Sequence, residues 1–290
     1  MAGNLRQIQL QSKSIKNIQK LTNSMKMVAA TRFKQAERLL LNSRPLGVGS
    51  RKFYDLVGVG LEPKTPVHYL VPFTSDRGLC GSCHYRTCKL ATSRMKERKQ
   101  EYRVVCVGEK AKMIIGFTNP KDIRLVVNGI GHRNPTFRTA SRISSHILGL
   151  DKFQECTFYF THFVGAMSFE VKQLKVYSST VMEKSQKVES YEMEDSFESY
   201  VEFSLAALVF YALSESFSVE LFSRMNAMAA ASKNAGNLHK ALTGKFNSAR
   251  QSLITRDLID IVSGASVVAP KKKKARMRTI VQPEAAVDSV

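Results

Sequence analysis

Proline is absent before Pro45 and absent again between Pro135 and Pro270. Inside a helix it costs roughly 3 kcal/mol, so proline-free segments of this length are where long helices can form. From about Asn4 to Ser43 the apolar residues Ile8, Ile15, Ile18, Leu21, Met25, Val28, Ala29, Ala36 and Leu39 fall on one stripe. Their steps of three, four and seven fit a helix and approach a heptad seam. Such a helix would reach about 60 Å. Its other faces carry Arg6, Lys13, Lys16, Lys20, Lys26, Arg32, Lys34 and Arg38, opposed only by Glu37.

The far end mirrors this pattern. From about Asp195 to Val262 the residues Leu205, Leu208, Ala212, Val219, Phe222, Met225 and Met228 lead into Leu242, Phe246, Ala249 and Leu253, the last four at a clean 4-3-4 spacing. Gly236 and Gly244 weaken the helix locally, and the run "AMAAAS" lets a neighbouring helix come close. One apolar stripe cannot hold either helix stable alone in water. The economical arrangement is that they pack on each other as an antiparallel coiled coil, with an ordinary helical bundle as the alternative.

The middle, from about Pro66 to Tyr191, alternates strand and helix. "PVHYLVPF" reads as a strand, "SDRGLCG" as a turn and Ser82 to Lys99 as a helix; "YRVVCVG" reads as a second strand. A short helix over Glu109 to Ile115 and a weaker strand over Ile123 to Val127 follow. Asn134 and Pro135 supply an N-cap and first-turn proline for a helix to Leu148. "ECTFYFTHFV" and "EVKQLKVYSSTV" read as two strands, with a hairpin as one way to join them. The expected fold is α/β: a long antiparallel coiled coil of the terminal helices plus a central Rossmann-like domain with a mostly parallel sheet. The expected segments are a shaft helix and connector over 1–60, a central domain over 61–194, a second shaft helix over 195–266 and a basic, disordered extension over 267–290.

Charge points to an acidic partner. There are 44 Lys and Arg against 24 Asp and Glu, a net charge of +20. That field suits nucleic acid, an anionic membrane or an acidic protein surface. Five cysteines in no spaced pattern argue against a disulfide scaffold. No uncharged apolar run of about 18 residues is present, so no transmembrane segment is expected. The acid-free first 36 residues fit either a mitochondrial targeting segment or a permanent helix.

No catalytic constellation is visible. Cys80-Gly-Ser-Cys83-His84 matches a haem-attachment signature, a three-residue match that chance often produces, and Cys88 nearby suggests half a zinc site, which no second Cys-x-x-Cys pair completes. The bland reading is a set of structural thiols at a strand-to-helix turn. "GIGHRNP" lacks the full dinucleotide-binding spacing, and no phosphate loop occurs. His132, His146, His162 and His239 stand without companions at useful spacing. No cofactor and no metal are expected. A basic coiled-coil nucleic-acid-binding protein is the alternative function, although the positive residues wrap the first helix instead of forming one groove-reading strip.

Four stretches carry a resemblance. "SIKNIQKLTNSMKMVAATRFKQAE" (Ser14 to Glu37), "SDRGLCG" (Ser75 to Gly81), "SRMNAMAAASKNAG" (Ser223 to Gly236) and "ARQSLITRDLIDIVSGA" (Ala249 to Ala265) resemble the gamma subunit of F-type rotary ATP synthase, most closely the mitochondrial form. The resemblance covers about residues 4 to 266. It implies a non-catalytic rotor subunit in the central stalk, peripheral to the mitochondrial inner membrane on the matrix side. Its terminal helices would stand inside an alternating hexamer of catalytic beta and non-catalytic alpha subunits. Its central domain would rest with the delta and epsilon subunits on the membrane c-ring, and no nucleic acid would be a partner. The acid-free start then resembles the mature shaft helix and need not be a cleaved signal.

Carried over by position, Met25 and Lys26 match the place where the shaft meets an acidic lever of a catalytic subunit. Arg250 and Gln251 match a pair that hydrogen-bonds a catch loop there, with Thr255 and Asp257 one turn on. Glu220, Arg224, Met225 and Met228 match the supporting motif of the second helix. Ser75, Asp76, Arg77, Gly78, Leu79, Cys80 and Gly81 match the turn at the foot. Relatives end near Gly264 and Ala265, whereas this chain continues through a lysine cluster at 271–274.

Overall fold

The computed structural model describes residues 2–57, 67–97, 101–150, 154–165, 168–183 and 197–268. The expected segment boundaries near residues 60 and 194 lie outside them, as does the expected extension over 267–290 apart from its first two residues, which end the last helix. Two long helices frame the chain, α1 (Ala2–Val57, 56 residues) and α6 (Phe197–Val268, 72 residues). The chain divides into two compact units, residues 1–14 with 238–290 and residues 15–237.

The larger unit is built on a five-stranded sheet of β1 (Val67–Pro72), β2 (Glu101–Val107), β3 (Ile123–Val127), β4 (Glu155–Gly165) and β5 (Ser168–Tyr177), in the order β3-β2-β1-β4-β5. All neighbouring pairs are parallel except β4 and β5, which form an antiparallel pair. Alternation along the central strands feeds two cores. Tyr69, Val71, Phe73, Val105, Val107, Phe158 and Phe160 face α4 (Phe137–Leu148) and α6. On the other face, Leu70, Val104, Cys106 and Tyr159 meet α2 (Cys83–Glu97) and α3 (Glu109–Thr118). Burial on both faces is what a parallel sheet requires, and it explains the near-continuous apolar runs of β1, β2 and β4. The edge strand β5 instead alternates, with Glu170, Lys172 and Lys175 exposed.

Two local expectations change. The helix after the glycine-rich loop starts at Phe137, capped by Thr136, whose hydroxyl accepts from the Thr139 N–H at 3.3 Å. Asn134 and Pro135 stay in the loop, because a hydroxyl one residue before the helix serves its free N–H groups directly. The end of "EVKQLKVYSSTV" leaves the sheet: Ser179–Glu183 is a short helix, α5, whose Met182 enters the main core.

From Ser204 to Ser223, α6 is buried or half-buried at every residue. The sheet covers one side through Leu205, Leu208 and Val209. On the α1 side, Phe217 and Leu221 cluster with Phe33 and Ala36. One stretch of α6 is long and apolar enough to cross a membrane, yet 89% of it is buried within the fold. A helix apolar all round is a core helix when other elements cover it.

Pro45 lies inside α1, which runs on to Val57 and not to the expected end near Ser43. The Leu41 carbonyl loses its helical partner there, so packing must hold the helix together. Gly47 supplies part of it. A Cβ at that position would come within 2.5 Å of the Tyr211 ring, so the missing side chain is what lets α6 approach. Beyond it, the Tyr54 hydroxyl lies 3.0 Å from Ser204 Oγ, and Tyr200 donates to the Ser50 carbonyl at 3.2 Å.

The seam of α1 is only in part the apolar stripe expected, which keeps Ile8, Ile15, Ala29, Ala36 and Leu39 buried or half-buried. In the larger unit it runs through Ile15, Gln19, Thr22, Ala29, Phe33, Ala36, Leu40, Ser43, Gly47, Ser50 and Tyr54, all buried or half-buried. Ile18, Leu21, Met25 and Val28 are exposed, Val28 by 60%. Small residues face α6 because its alanine-rich segment brings the backbones close; Ser232 Oγ donates to the Gln19 carbonyl at 3.4 Å. Thr22 satisfies its own hydroxyl on the Ile18 and Gln19 carbonyls. In the smaller unit, Ser12 Oγ lies 3.0 Å from His239 Nδ1. There Leu242, Phe246, Ala249 and Leu253 are half-buried, as their 4-3-4 spacing predicts, and residues 254–267 are all exposed.

Candidate partner-binding groove and the turn that frames it

The segment after β1 forms the turn from Thr74 to Ser82. Its backbone approaches Gly108 so closely that a Cβ there would meet Ser75 N at 2.7 Å. Gly108 also has φ 93, a left-handed value that favours glycine. Thr74 Oγ1 donates to the Val107 carbonyl at 2.8 Å and accepts from the Ala111 N–H at 3.0 Å. The Asp76 carboxylate accepts from the N–H groups of Glu109 at 2.9 Å and Gly129 at 2.7 Å. In a parallel α/β sheet these N–H groups at strand and helix ends are where a phosphate would bind. Here the chain's own Asp76 takes them.

Arg224 on α6 reaches the same turn. Its guanidinium donates to the Gly78 carbonyl at 3.1 and 3.3 Å and pairs with Glu220 one turn earlier. Burial raises the Glu220 pKa, and Arg224 opposes that shift. Glu220 is itself almost fully buried. The pair is therefore structural: it aims the turn at α6.

Between this turn and α1 lies a groove of about 410 Å³. Its apolar lining includes Met25, Val28, Leu79 and Leu221, and Arg32, Arg77 and Arg224 stand around it. Burial lowers the Arg32 pKa, and the positive charges of Arg77 and Arg224 add to that effect. Arg32 also donates to the His132 carbonyl at 3.0 Å. An apolar floor with three guanidiniums suits a segment that is both apolar and acidic.

The structure thus brings together Met25, the turn residues Arg77, Gly78 and Leu79, and Arg224. Lys26 is exposed next to Met25. Met225 is half-buried and Met228 buried on α6. Arg250, Gln251, Thr255 and Asp257 belong to the other unit and are all exposed; Thr255 Oγ1 donates to the Gln251 carbonyl at 3.0 Å.

Below the turn, Cys80, Cys83 and His84 cluster. The Cys83 thiol, with His84 assisting against burial, holds the Cys80 thiol down at about 5. Cys83 is pushed well above its usual range, first by Cys80 and then by burial. Burial alone would lower the His84 pKa, but Cys80 and Glu220 more than offset it and the net direction is up.

Sequence reasoning missed a second polar cluster. Glu215 on α6 is fully buried and accepts from Arg44 Nε at 2.8 Å and from the Phe163 N–H at 2.9 Å. Arg44 also donates to the Phe163 carbonyl at 2.7 Å. His162 Nδ1 approaches the same carboxylate to 3.0 Å, and burial lowers its pKa. The available signal was a carboxylate inside the otherwise uncharged 204–219 run, since a buried charge needs a partner.

The sequence profile of the ATP synthase family matches residues 4–268. The chain is 40% identical over 269 residues to the mitochondrial ATP synthase subunit gamma of Drosophila melanogaster, covering 91% of this chain and 90% of that one. With the ATP synthase F(1) complex subunit gamma of Rattus norvegicus it shares 35% over 270 residues, covering 91% and 99%. Among solved structures, a chain of the Tetrahymena thermophila mitochondrial ATP synthase central stalk and c-ring superposes with TM-score 0.63 at 27% identity, covering 73% of this chain and 99% of that chain. A chain of the Euglena gracilis mitochondrial ATP synthase shares the fold at TM-score 0.79 and 17% identity, covering 97% and 100%. A match along nearly the whole chain, with both long helices and the sheet between them, places this chain in the family of mitochondrial ATP synthase gamma subunits.

Proposed function

We propose that this chain is the rotating shaft of a proton-driven ATP synthase and catalyses nothing itself. It transmits torque between a membrane c-ring and an alternating hexamer of alpha and beta subunits, and forces the catalytic sites of the beta subunits through their conformations in turn. Its central domain rests with delta and epsilon subunits on the c-ring, at the matrix face of the mitochondrial inner membrane. A shaft biases each site only through differential contacts with its open and closed states, so its asymmetric surface is the active element.

The observation that carries this reading is the groove in which Met25, Arg77, Leu79 and Arg224 converge, apolar at its floor and cationic around it. An acidic lever of a catalytic subunit fits that chemistry, with Lys26 beside it. The exposed face of α6 that bears Arg250, Gln251, Thr255 and Asp257 supplies a second contact, to a catch loop. Glu220, Met225 and Met228 hold the first contact from behind, and residues 75–81 form the foot turn.

The assembled complex tests it. Arg250→Ala with Gln251→Ala removes hydrogen bonds worth about 1 kcal/mol each, so coupled synthesis should fall roughly thirtyfold with the melting temperature unchanged. Normal proton-driven synthesis in that double variant would refute the assignment of these two residues to the catch.

A further inference from the structure

The turn after β1 is left-handed twice, at Leu79 with φ 62 and at Gly81 with φ 65. That reversal folds Cys80 back over the start of α2, where Cys83 is the first residue and His84 the second. One ligand atom from each of Cys80, Cys83 and His84 lies within 4.8 Å of the other two. Two thiols and an imidazole form a donor set that soft d10 cations take. An ion with metal–sulfur bonds of about 2.3 Å holds its two sulfurs about 3.8 Å apart, so the cluster needs to close by only about 1 Å.

The surroundings fit a bound ion. Cys80 and Cys83 are both buried, in an apolar cluster with Val219 that Phe163 and Phe169 complete. His84 Nε2 lies 3.2 Å from the Arg77 carbonyl and 3.2 Å from Ser75 Oγ. Donating that proton to the carbonyl leaves the other ring nitrogen with a free lone pair, as metal-bound histidines are commonly held. Cys88, Cys106 and Cys156 are buried elsewhere in the core and do not join the cluster.

We propose that Cys80, Cys83 and His84 bind one soft d10 metal ion, Zn²⁺ or Cu⁺, which ties the turn after β1 to the start of α2. Binding releases to solvent whatever protons the two sulfurs and the ligating ring nitrogen still carry, and changes no oxidation state. With Zn²⁺ the two thiolates neutralise the ion, and a fourth light-atom ligand completes the tetrahedron. With Cu⁺ the three donors suffice. The inference is independent of the rotor reading, since it concerns metal uptake by the chain itself.

The test uses the full chain, reduced and handled without oxygen, dialysed separately against Zn²⁺ and against Cu⁺. Native mass spectrometry counts the metal, and X-ray absorption reads its ligands. The expected result is one equivalent bound by two sulfurs and one imidazole nitrogen, four-coordinate for zinc or three-coordinate for copper. Cys80→Ala and Cys83→Val should weaken binding about 100-fold or more, while Cys88→Ala keeps it. Cys83→Val keeps the position apolar and filled, so its melting curve separates lost ligation from lost folding. Failure to take up either ion would overturn the proposal, as would uptake that survives Cys83→Val in a folded chain. A Cys80–Cys83 disulfide that re-forms on exposure to air, from protein that had taken up no metal while reduced, would replace it with a redox pair.

Discussion

Arg44 Nε donates to Glu215 Oε1 at 2.8 Å, one residue before the proline that α1 has to accommodate. Through Phe163 the same carboxylate holds β4, so α1, α6 and the sheet meet at one buried charge. The helix is thus fastened to its neighbours where its own hydrogen bonding is interrupted.

Removing Arg44 should therefore cost more than an exposed ion pair would. Arg44→Ala leaves Glu215 buried with its charge unmatched, which costs about 3 kcal/mol. Glu215→Gln, which keeps an acceptor for Phe163, should cost less. Urea denaturation of the full chain reads both, and a loss under about 1 kcal/mol for Arg44→Ala would contradict this account.

Gly47 reverses an ordinary rule. Alanine for glycine inside a helix usually gains about 1 kcal/mol. Here the new methyl would meet the Tyr211 ring at 2.5 Å, and overpacking of that kind costs about 1–3 kcal/mol. Gly47→Ala should lower the melting temperature, and the same substitution made in a Tyr211→Ala background should lower it less. Equal melting of Gly47→Ala and the parent would mean that α6 is free to move away.

Alkaline pH should destabilise the fold. Burial pushes the Cys88 and Cys106 thiols up to about 12 from an ordinary value of 9.0, with Cys106 adding to the shift of Cys88. Between those values the unfolded chain releases protons that the folded chain retains, so stability falls as pH rises through that window. Below pH 9 these two groups contribute no slope. Cys106→Val should flatten the decline, measured as urea midpoints from pH 8 to pH 11.

Leu79 separates folding from function. It has φ 62, a conformation that costs an ordinary residue about 1–2 kcal/mol and that asparagine tolerates better. Leu79→Asn should leave the melting temperature level or slightly higher. It also removes an apolar group from the groove beside Met25, so coupled synthesis in the assembled complex should drop. Unchanged synthesis would exclude Leu79 from the contact.

Much of this architecture is legible in the chain, for identifiable reasons. Proline spacing announces both long helices, and the 4-3-4 step from Leu242 to Leu253 predicts which of those residues are half-buried. The short strand Ile123–Val127 is where alternation puts it. The seam of α1 is only partly legible, because apolarity marks what avoids water without saying what will cover it. Ile18, Leu21 and Val28 are left outward while Thr22, Ser43 and Gly47 turn inward, a choice made by the close approach of α6. Pro45 misleads for a related reason: local propensity predicts a stop, and tertiary packing overrides it. Of the candidate site, the groove joins residues about 50 and 200 positions apart in the chain, and only the family resemblance pointed to Met25 and Arg224 together.

Asp76 fills with one carboxylate the anion cradle of its own sheet, and the two N–H groups it holds open α3 and follow β3. A load applied at the neighbouring Arg77 is consequently divided among three strand ends instead of bending one loop. Where a nucleotide-binding relative would keep a vacant berth, this domain has a rivet.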